Sequence, residues 1–565
     1  MMYRHLIIVL ALLVLKAVPH AYAQAHIHET QESFRHSGYE FLWDTIRDEF
    51  DTREFERDQD AEQYQEMMDI IIRTGAVYAQ PYRNIRFGTF ELYPDIIELD
   101  EDPPLYAQYR YHGTVAQNGS DSPSDDFEGH ADELVRIAER MEDAAYPAYV
   151  IGATWIRAAE FYRDAGMGST PRAVLARDRG MDELVRAASL QDVASEHREF
   201  VAERVSNFGW KYSALTDKDK ELLCERFLTD SSVDRWVAHF AIGKLLMQRG
   251  WDARGDGWAY EVTQEQWAAF GQYMSDAYGH LIRAWEAHPH WVLTQAQLIN
   301  INMAADVDLQ RDVHFWFQDA LRYRVDHDGV WDNYARAIMP RWGGSLRAMY
   351  ALLDHAIELH NNPSSMAYIV VDLMADITWS EEDAHLMLLD AGYLNTATHL
   401  MRDELADPTP YKNVWQHRMM LRTLAMGQYK SGNLVVASEL LRAGGGMTDT
   451  VRYPWAETSE FTRHAPMLST AASEDIIAAL LATRDRDLNT ALRALKNARR
   501  TLVRDTPNPD IHGDPIGEID RIMDSISSRI PRVPFYAMPV FQIVAGVCVL
   551  VMIGFLVSAR IRSQG

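Results

Sequence analysis

From Phe535 to Val557 the chain carries no charged residue, and Arg560 and Arg562 follow at once. At about 1.5 Å of rise per residue, a helix of this length crosses a hydrocarbon core of roughly 30 Å. The run predicts one transmembrane helix at residues 535–557, with the basic tail 558–565 in the cytoplasm. The tail lacks the Pro-Glu-Pro and Leu-Pro-x-Thr-Gly motifs of processed sorting segments, so the span is read as permanent. The opposite end differs. Arg4 and His5 precede a short apolar run, Leu6 to Leu15, and Ala21-Tyr22-Ala23 follows. A basic start, a short apolar stretch and small residues at a cut site describe a cleavable secretory signal over residues 1–23. Together the ends predict a single-pass protein of the cell membrane whose bulk is periplasmic or extracellular.

The roughly 500 residues between the two ends suffice for several domains or one long array. Hydrophobic residues make up 47% of the chain and there are 15 Trp, enough for a packed core. The formal net charge of -27 argues against binding nucleic acid or lying flat on anionic lipid, since both need a basic patch. Of the two Cys, Cys548 falls in the span, which leaves Cys224 without an intramolecular partner outside it. Packing, not disulfides, must stabilise the exported part.

Apolar residues recur at three- and four-residue spacings through most of that part. Val233, Trp236, Val237, Phe240, Leu245 and Leu246 make one stripe, stopped by Gly250. Trp267, Phe270, Tyr273, Met274, Ala277, Tyr278, Leu281, Ile282 and Trp285 make another, with Thr263 as N-cap and Pro289 at the end. Only Ile85 to Val115 hints at extended chain, with Ile85-Arg86-Phe87 and Tyr109-Arg110-Tyr111 as a small hairpin or irregular stretch. Acidic loops rich in Pro, Gly and Ser surround it and mark a break. Gly444-Gly445-Gly446 marks a second break, and the prolines between Thr506 and Pro515 a third. The resulting division is a helical pair with an irregular acidic segment at 24–127 and a helical hairpin array at 128–443. A further repeat region at 444–505 and a juxtamembrane linker with a short helix at 506–534 complete it.

Leu421, Leu424, Ala425, Gly432, Ala437 and Leu441 fall at the large, large, small, turn-glycine, small and large positions of a helical hairpin. Small residues let two antiparallel helices approach and large ones fill the groove between them. The pair resembles a tetratricopeptide repeat, although Gln428 stands where the repeat usually has an aromatic residue. A second resemblance covers Val233 to about Leu359. It rests on Gln248 to Ala259, on Gln264-Glu265-Gln266-Trp267 with Phe270, and on Pro340-Arg341-Trp342-Gly343-Gly344-Ser345. These resemble an uncharacterised bacterial domain family of tetratricopeptide-like helical hairpins. The resemblance implies a helical fold and a bacterial source, and no activity. The expected fold is therefore all-α, a tetratricopeptide-like α-solenoid with a single C-terminal transmembrane helix.

Pro340 to Ser345 reads as a tight turn between helices. Gly343 and Gly344 permit backbone angles closed to other residues, Ser345 can cap the helix starting at Leu346, and Trp342 is expected to lock the turn by packing. A helix start behind two glycines could also receive an anion, which is the weaker reading. The 21 histidines raise the question of metal sites. His355 and Glu358 share a helix face, but His360 lies about 140° round from His355, so a zinc-protease motif fails. His288-Pro289-His290 suits a helix C-terminus, where imidazoles meet the negative end of the dipole. Asp326-His327-Asp328-Gly329 reads as a polar turn without calcium-loop spacing. At the mature N-terminus, cleavage after Ala23 would put His26 third in the chain, where amine, amides and imidazole can wrap Cu²⁺ or Ni²⁺. Cleavage after Ala25 would instead place His26 first, with His28 nearby. We assign no metal and no cofactor; His26 and His28 are the only candidates. Nucleophile elbows and phosphate loops are absent, and Cys224 beside Leu222, Leu223 and Phe227 reads as a buried, inert thiol.

The expected function is that of an extracytoplasmic, membrane-anchored scaffold for other proteins, held by the bilayer through residues 535–557 and binding no nucleic acid. The alternative is a hydrolase-type enzyme with its site in the array, for which no catalytic residue can be named from the sequence.

Overall fold

A computed structural model describes residues 102–115, 126–207, 215–304, 311–359, 366–380, 392–406, 414–443, 473–484 and 488–505, with scattered positions elsewhere. Every regular element among them is helical, so the chain is all-α there. None of these helices is long and apolar enough to cross a membrane. The signal at 1–23, His26, His28, the glycine break at 444–446 and the span at 535–557 lie outside the described residues.

The chain forms two compact units, and the division falls inside one helix, between Ile369 and Val370. The first unit holds α1 (Leu105–Val115), α2 (Phe127–Asp143), α3 (Ala148–Asp164), α4 (Pro171–Ala188), α5 (Arg198–Asn207) and α6 (Asp217–Thr229). It continues with α7 (Arg235–Arg254), α8 (Gln264–Ala287), α9 (Leu293–Ala304), α10 (Val313–Leu321), α11 (Asp328–Ala337) and α12 (Leu346–Leu359). Tyr109-Arg110-Tyr111, expected in a small hairpin or irregular extended stretch, are helical, in α1; Ile85-Arg86-Phe87 lies outside the described residues. The helix α1 packs on α2 and α3, and Leu105, Tyr106 and Ala107 are buried. The buried run Leu105 to Gln108 at the start of the helix, packed on α2 and α3, won over the local Tyr-Arg-Tyr alternation.

Neighbours in sequence are neighbours in space: α2 packs on α3, α3 on α4 and α7 on α8, while α9 meets both α10 and α11. Hydrogen-bonding side chains pin several ends. Thr170 caps α4, where Pro171 occupies the first turn, and Thr216 and Asp219 form a reciprocal capping box on α6. Deep polar ties cross between helices where a buried donor must find an acceptor. Trp236 Nε1 donates to Thr294 Oγ1 at 2.8 Å, and Asp319 accepts from Trp285 Nε1 and Gln295 Nε2 at 2.9 and 3.1 Å.

The second unit includes α14 (Tyr393–Ala406), α15 (Val414–Lys430), α16 (Leu434–Ala443), α17 (Ser473–Arg484) and α18 (Leu488–Asp505), after the dividing helix α13 (Met366–Ser380). Here α15 and α16 pair closely, with Leu421, Leu424, Ala425, Ala437 and Leu441 all buried and Gly432 at φ +81 in the turn. Gln428, at the position of the missing aromatic, is also buried. Its amide donates to Asn395 Oδ1 and Thr398 Oγ1 on α14 at 3.1 and 2.9 Å, and its oxygen accepts from Asn433 at 2.7 Å. A polar clamp fills the space that an aromatic ring fills by area.

Candidate interaction site

Among the described residues, the loop that joins the longest pair of helices carries the most exposed aromatic side chains. By rise alone α7 and α8 are about 30 and 36 Å long. Their seam is dense: Phe270, Met274, Ala277, Leu281 and Ala284 recur at four- and three-residue steps on α8 and are all buried. A Cβ at Gly243 would stand 2.8 Å from the Leu281 side chain, and one at Gly250 2.9 Å from Met274. The two glycines, seven residues apart, thus let α8 close on α7. At the base, Asp234 caps α7 through the Trp236 N–H at 2.8 Å and meets His288 Nε2 at 3.2 Å, which ties the start of α7 to the end of α8. Burial alone would raise the Asp234 carboxyl; the His288 contact and the Trp236 and Val237 amides outweigh it and hold it below its ordinary value. His288 also stacks on Trp291 at 4.0 Å, so it works at the helix end.

The tip of this hairpin, residues 255–263, is fastened from within. Gly255 ends α7 at φ +75. Arg254 Nη1 donates to the Gly255 and Gly257 carbonyls at 2.9 and 3.2 Å, and its guanidinium lies over the rings of Trp251 and Trp267. Trp258 N–H donates to the Glu261 carboxylate at 2.7 Å, and Glu261 N–H returns a bond to the Trp258 carbonyl at 2.8 Å. Thr263 and Gln266 then start α8 with a reciprocal capping box. These bonds hold the backbone while Trp258 and Tyr260 stand 73% and 83% exposed. Large aromatic side chains displayed on an ordered loop are the kind of anchor that dominates protein–protein interfaces.

The turn at Pro340 to Ser345 has a different character. Pro340–Trp342 forms a short 3-10 turn, and Gly343 adopts φ +89 with open space around it. A Cβ on Gly344 would fall 1.8 Å from the Ile338 carbonyl oxygen, so only glycine fits. Ser345 Oγ accepts from the Ala348 N–H at 3.2 Å and caps α12. Trp342 is 40% exposed, and backbone bonds close the turn: Gly344 N–H donates to the Met339 carbonyl and Ser345 N–H to the Ile338 carbonyl, each at 3.0 Å.

Convergent charged groups occur deeper in the first unit. Arg324 is buried and its guanidinium meets the Glu199 carboxylate at 2.9 Å. Burial raises the Glu203 carboxyl against the opposing pull of Arg204, Arg324 and Lys244, and it lowers the half-buried Lys244 ammonium to about 8 against the pull of Glu203. The cluster joins α5, α7 and the segment before α11, and its charges of opposite sign compensate one another. In the same segment Asp326 is fully buried and His327 caps α11 through the Val330 N–H. Cys224 is half-buried, and burial pushes its thiol up to about 12, so it stays protonated at neutral pH. His355 tilts against Trp331, at 6.1 Å between ring centres. Among the described residues no group of three or more His, Cys, Asp or Glu could hold a metal.

The tip and the charged cluster were not singled out by sequence reasoning. In the sequence Trp258 belongs to the Gln248 to Ala259 motif, although two aromatics inside a Gly-Asp-Gly-flanked polar loop are a signal of their own. The cluster draws on segments more than a hundred residues apart and leaves no local pattern. Compared with known families and curated proteins, the chain matches no family model and no curated sequence.

Proposed function

We propose that the chain is a membrane-anchored, extracytoplasmic scaffold built as a tetratricopeptide-like α-solenoid, which captures another protein at the α7–α8 tip. The observation that carries the reading is the fastened loop with Trp258 and Tyr260 in solvent. Folding alone gives no reason to spend a guanidinium, a carboxylate and a capping box on holding two large aromatics away from the core. Stacking of sequence neighbours supports the repeat architecture. The uncharged run at 535–557 with Arg560 and Arg562 behind it supports the anchor, and the apolar run and small residues of 1–23 support export.

Two measurements test the reading. Protease added outside intact cells should digest the array and spare a small C-terminal fragment; survival of the array would remove the topology. Replacing residues 256–261 by a Gly-Ser linker should abolish co-purification of the partner from membranes while both compact units stay folded.

A hydrolase-type enzyme is the second reading. On its side stands the Lys244 ammonium, brought to about 8 beside a raised Glu203 carboxyl, since groups titrating near neutrality serve acid–base chemistry. Under the scaffold reading Lys244→Met alters stability only; a turnover lost in that variant with the fold intact would favour the enzyme.

A further inference from the structure

The charges around the tip extend this reading, on which the following inference rests, to the chemistry of the partner. Asp252, Asp256, Glu261 and Glu265 are all exposed within residues 250–267, where Arg254 is the only cation. Arg254 is turned inward, over Trp251 and Trp267 and onto the Gly255 and Gly257 carbonyls. Just before the tip, the Arg249 guanidinium pairs with Glu221 across to α6. An approaching surface therefore meets two aromatic side chains ringed by carboxylates, on a chain whose net charge is -27. The geometry points to a protein partner with an apolar pocket for the indole and phenol, rimmed by Lys or Arg.

Charge complementarity decides among the possible occupants. A second copy would bring the same acidic ring and the same net charge, so tip-to-tip docking sets carboxylates against carboxylates. An anionic bilayer surface repels the ring as well, and a peripheral anchor needs basic, not acidic, neighbours for its aromatics. A cationic rim gains from both features: Trp258 and Tyr260 supply buried area at little cost in side-chain freedom, and the four carboxylates steer the approach and set the register.

The test is site-specific photo-crosslinking of the full chain in the membranes of its own host. A benzophenone amino acid replaces Tyr260, with a control at Leu228, exposed on α6 away from the tip. The contacted residues are mapped by mass spectrometry. The expected result is an adduct with one protein, at a segment of net positive charge. Its yield should fall at least fivefold in an Asp256→Asn/Glu265→Gln background and fall again as salt is raised. Glu261 is left intact because it holds the Trp258 backbone. An adduct with a neutral or acidic protein segment would overturn the cationic partner and leave the scaffold standing. An adduct with lipid or with a second copy overturns it too. No adduct at position 260 beyond that at 228, in a chain that melts normally, defeats the partner and the scaffold reading together.

Discussion

Nδ1 of His239 on α7 lies 3.1 Å from Nδ1 of His280 on α8, so one neutral imidazole donates to the other across the hairpin that carries the tip. The hairpin of α1 and α2 repeats the device: Nδ1 of His112 on α1 stands 3.0 Å from Nδ1 of His130 on α2. Such a contact needs an acceptor nitrogen on one ring, which protonation removes.

Both pairs make the first unit acid-sensitive. Burial lowers His112 to about 4, aided by His130 and Arg136, and lowers His239 to about 4, aided by His280, Arg283 and Arg235. His130 and His280 are lowered as well, again chiefly by burial, with Asp126, Glu133 and Asp276 pulling the other way. The unfolded chain takes up these protons near pH 6.5 while the folded chain resists to about pH 4. The stabilisation is thus full above about pH 6.5 and falls as the pH drops from there towards 4. Thermal melting between pH 7 and 4.5 should show a decline that is shallower in His112→Leu/His239→Leu. An unchanged slope in that double variant would contradict the assignment.

At the Pro340–Ser345 turn, the two glycines should differ. Gly343→Ala meets open space at φ +89 and should cost about 1–2 kcal/mol through backbone strain. Gly344→Ala drives a Cβ into the Ile338 carbonyl and should cost about 3 kcal/mol or more. Ser345→Ala removes a cap bond worth about 1 kcal/mol. Denaturant melts of the three variants check the order, and equal losses at the two glycines would contradict the geometry.

Thr294→Val keeps the volume and deletes the acceptor for buried Trp236 Nε1, which should cost about 1–3 kcal/mol. A chemical melt measures it. Wild-type stability in this variant would mean that the indole finds another acceptor.

In the second unit, Gln428→Phe restores the aromatic residue of the repeat pattern, yet it should destabilise. It strips Asn395, Thr398 and Asn433 of their shared partner, at about 1–3 kcal/mol. Stabilisation by Phe, read from the melting temperature, would mean that the polar clamp is not the tie between α14 and α15.

The helices were legible where periodicity and caps agreed. Thr263 was readable as a cap, and Phe270, Met274, Ala277 and Leu281 as a buried stripe, because a helix repeats its environment every three or four residues. The same pattern overreached at Trp267, whose ring stays 37% exposed because it serves as the floor for Arg254. Sequence pattern failed at α1, where Tyr109-Arg110-Tyr111 alternates like a strand and tertiary burial decides otherwise. Partners that meet only in the fold, such as His239 with His280 or Glu199 with Arg324, carry no local signature. The tip lay between these cases: its glycines and aromatics were visible, while its exposure depends on where Arg254 and Glu261 send their bonds.

The most direct measurement of the central claim is partner retention by the Trp258→Ala/Tyr260→Ala double variant, purified from host membranes beside the wild type and scored with its melting temperature. Both side chains are largely exposed, so the melting temperature should stay within about 1 °C of wild type. The account predicts that the partner is lost at least tenfold while the fold is kept. A double variant that melts normally and still retains its partner would contradict the assignment of the α7–α8 tip as the docking site.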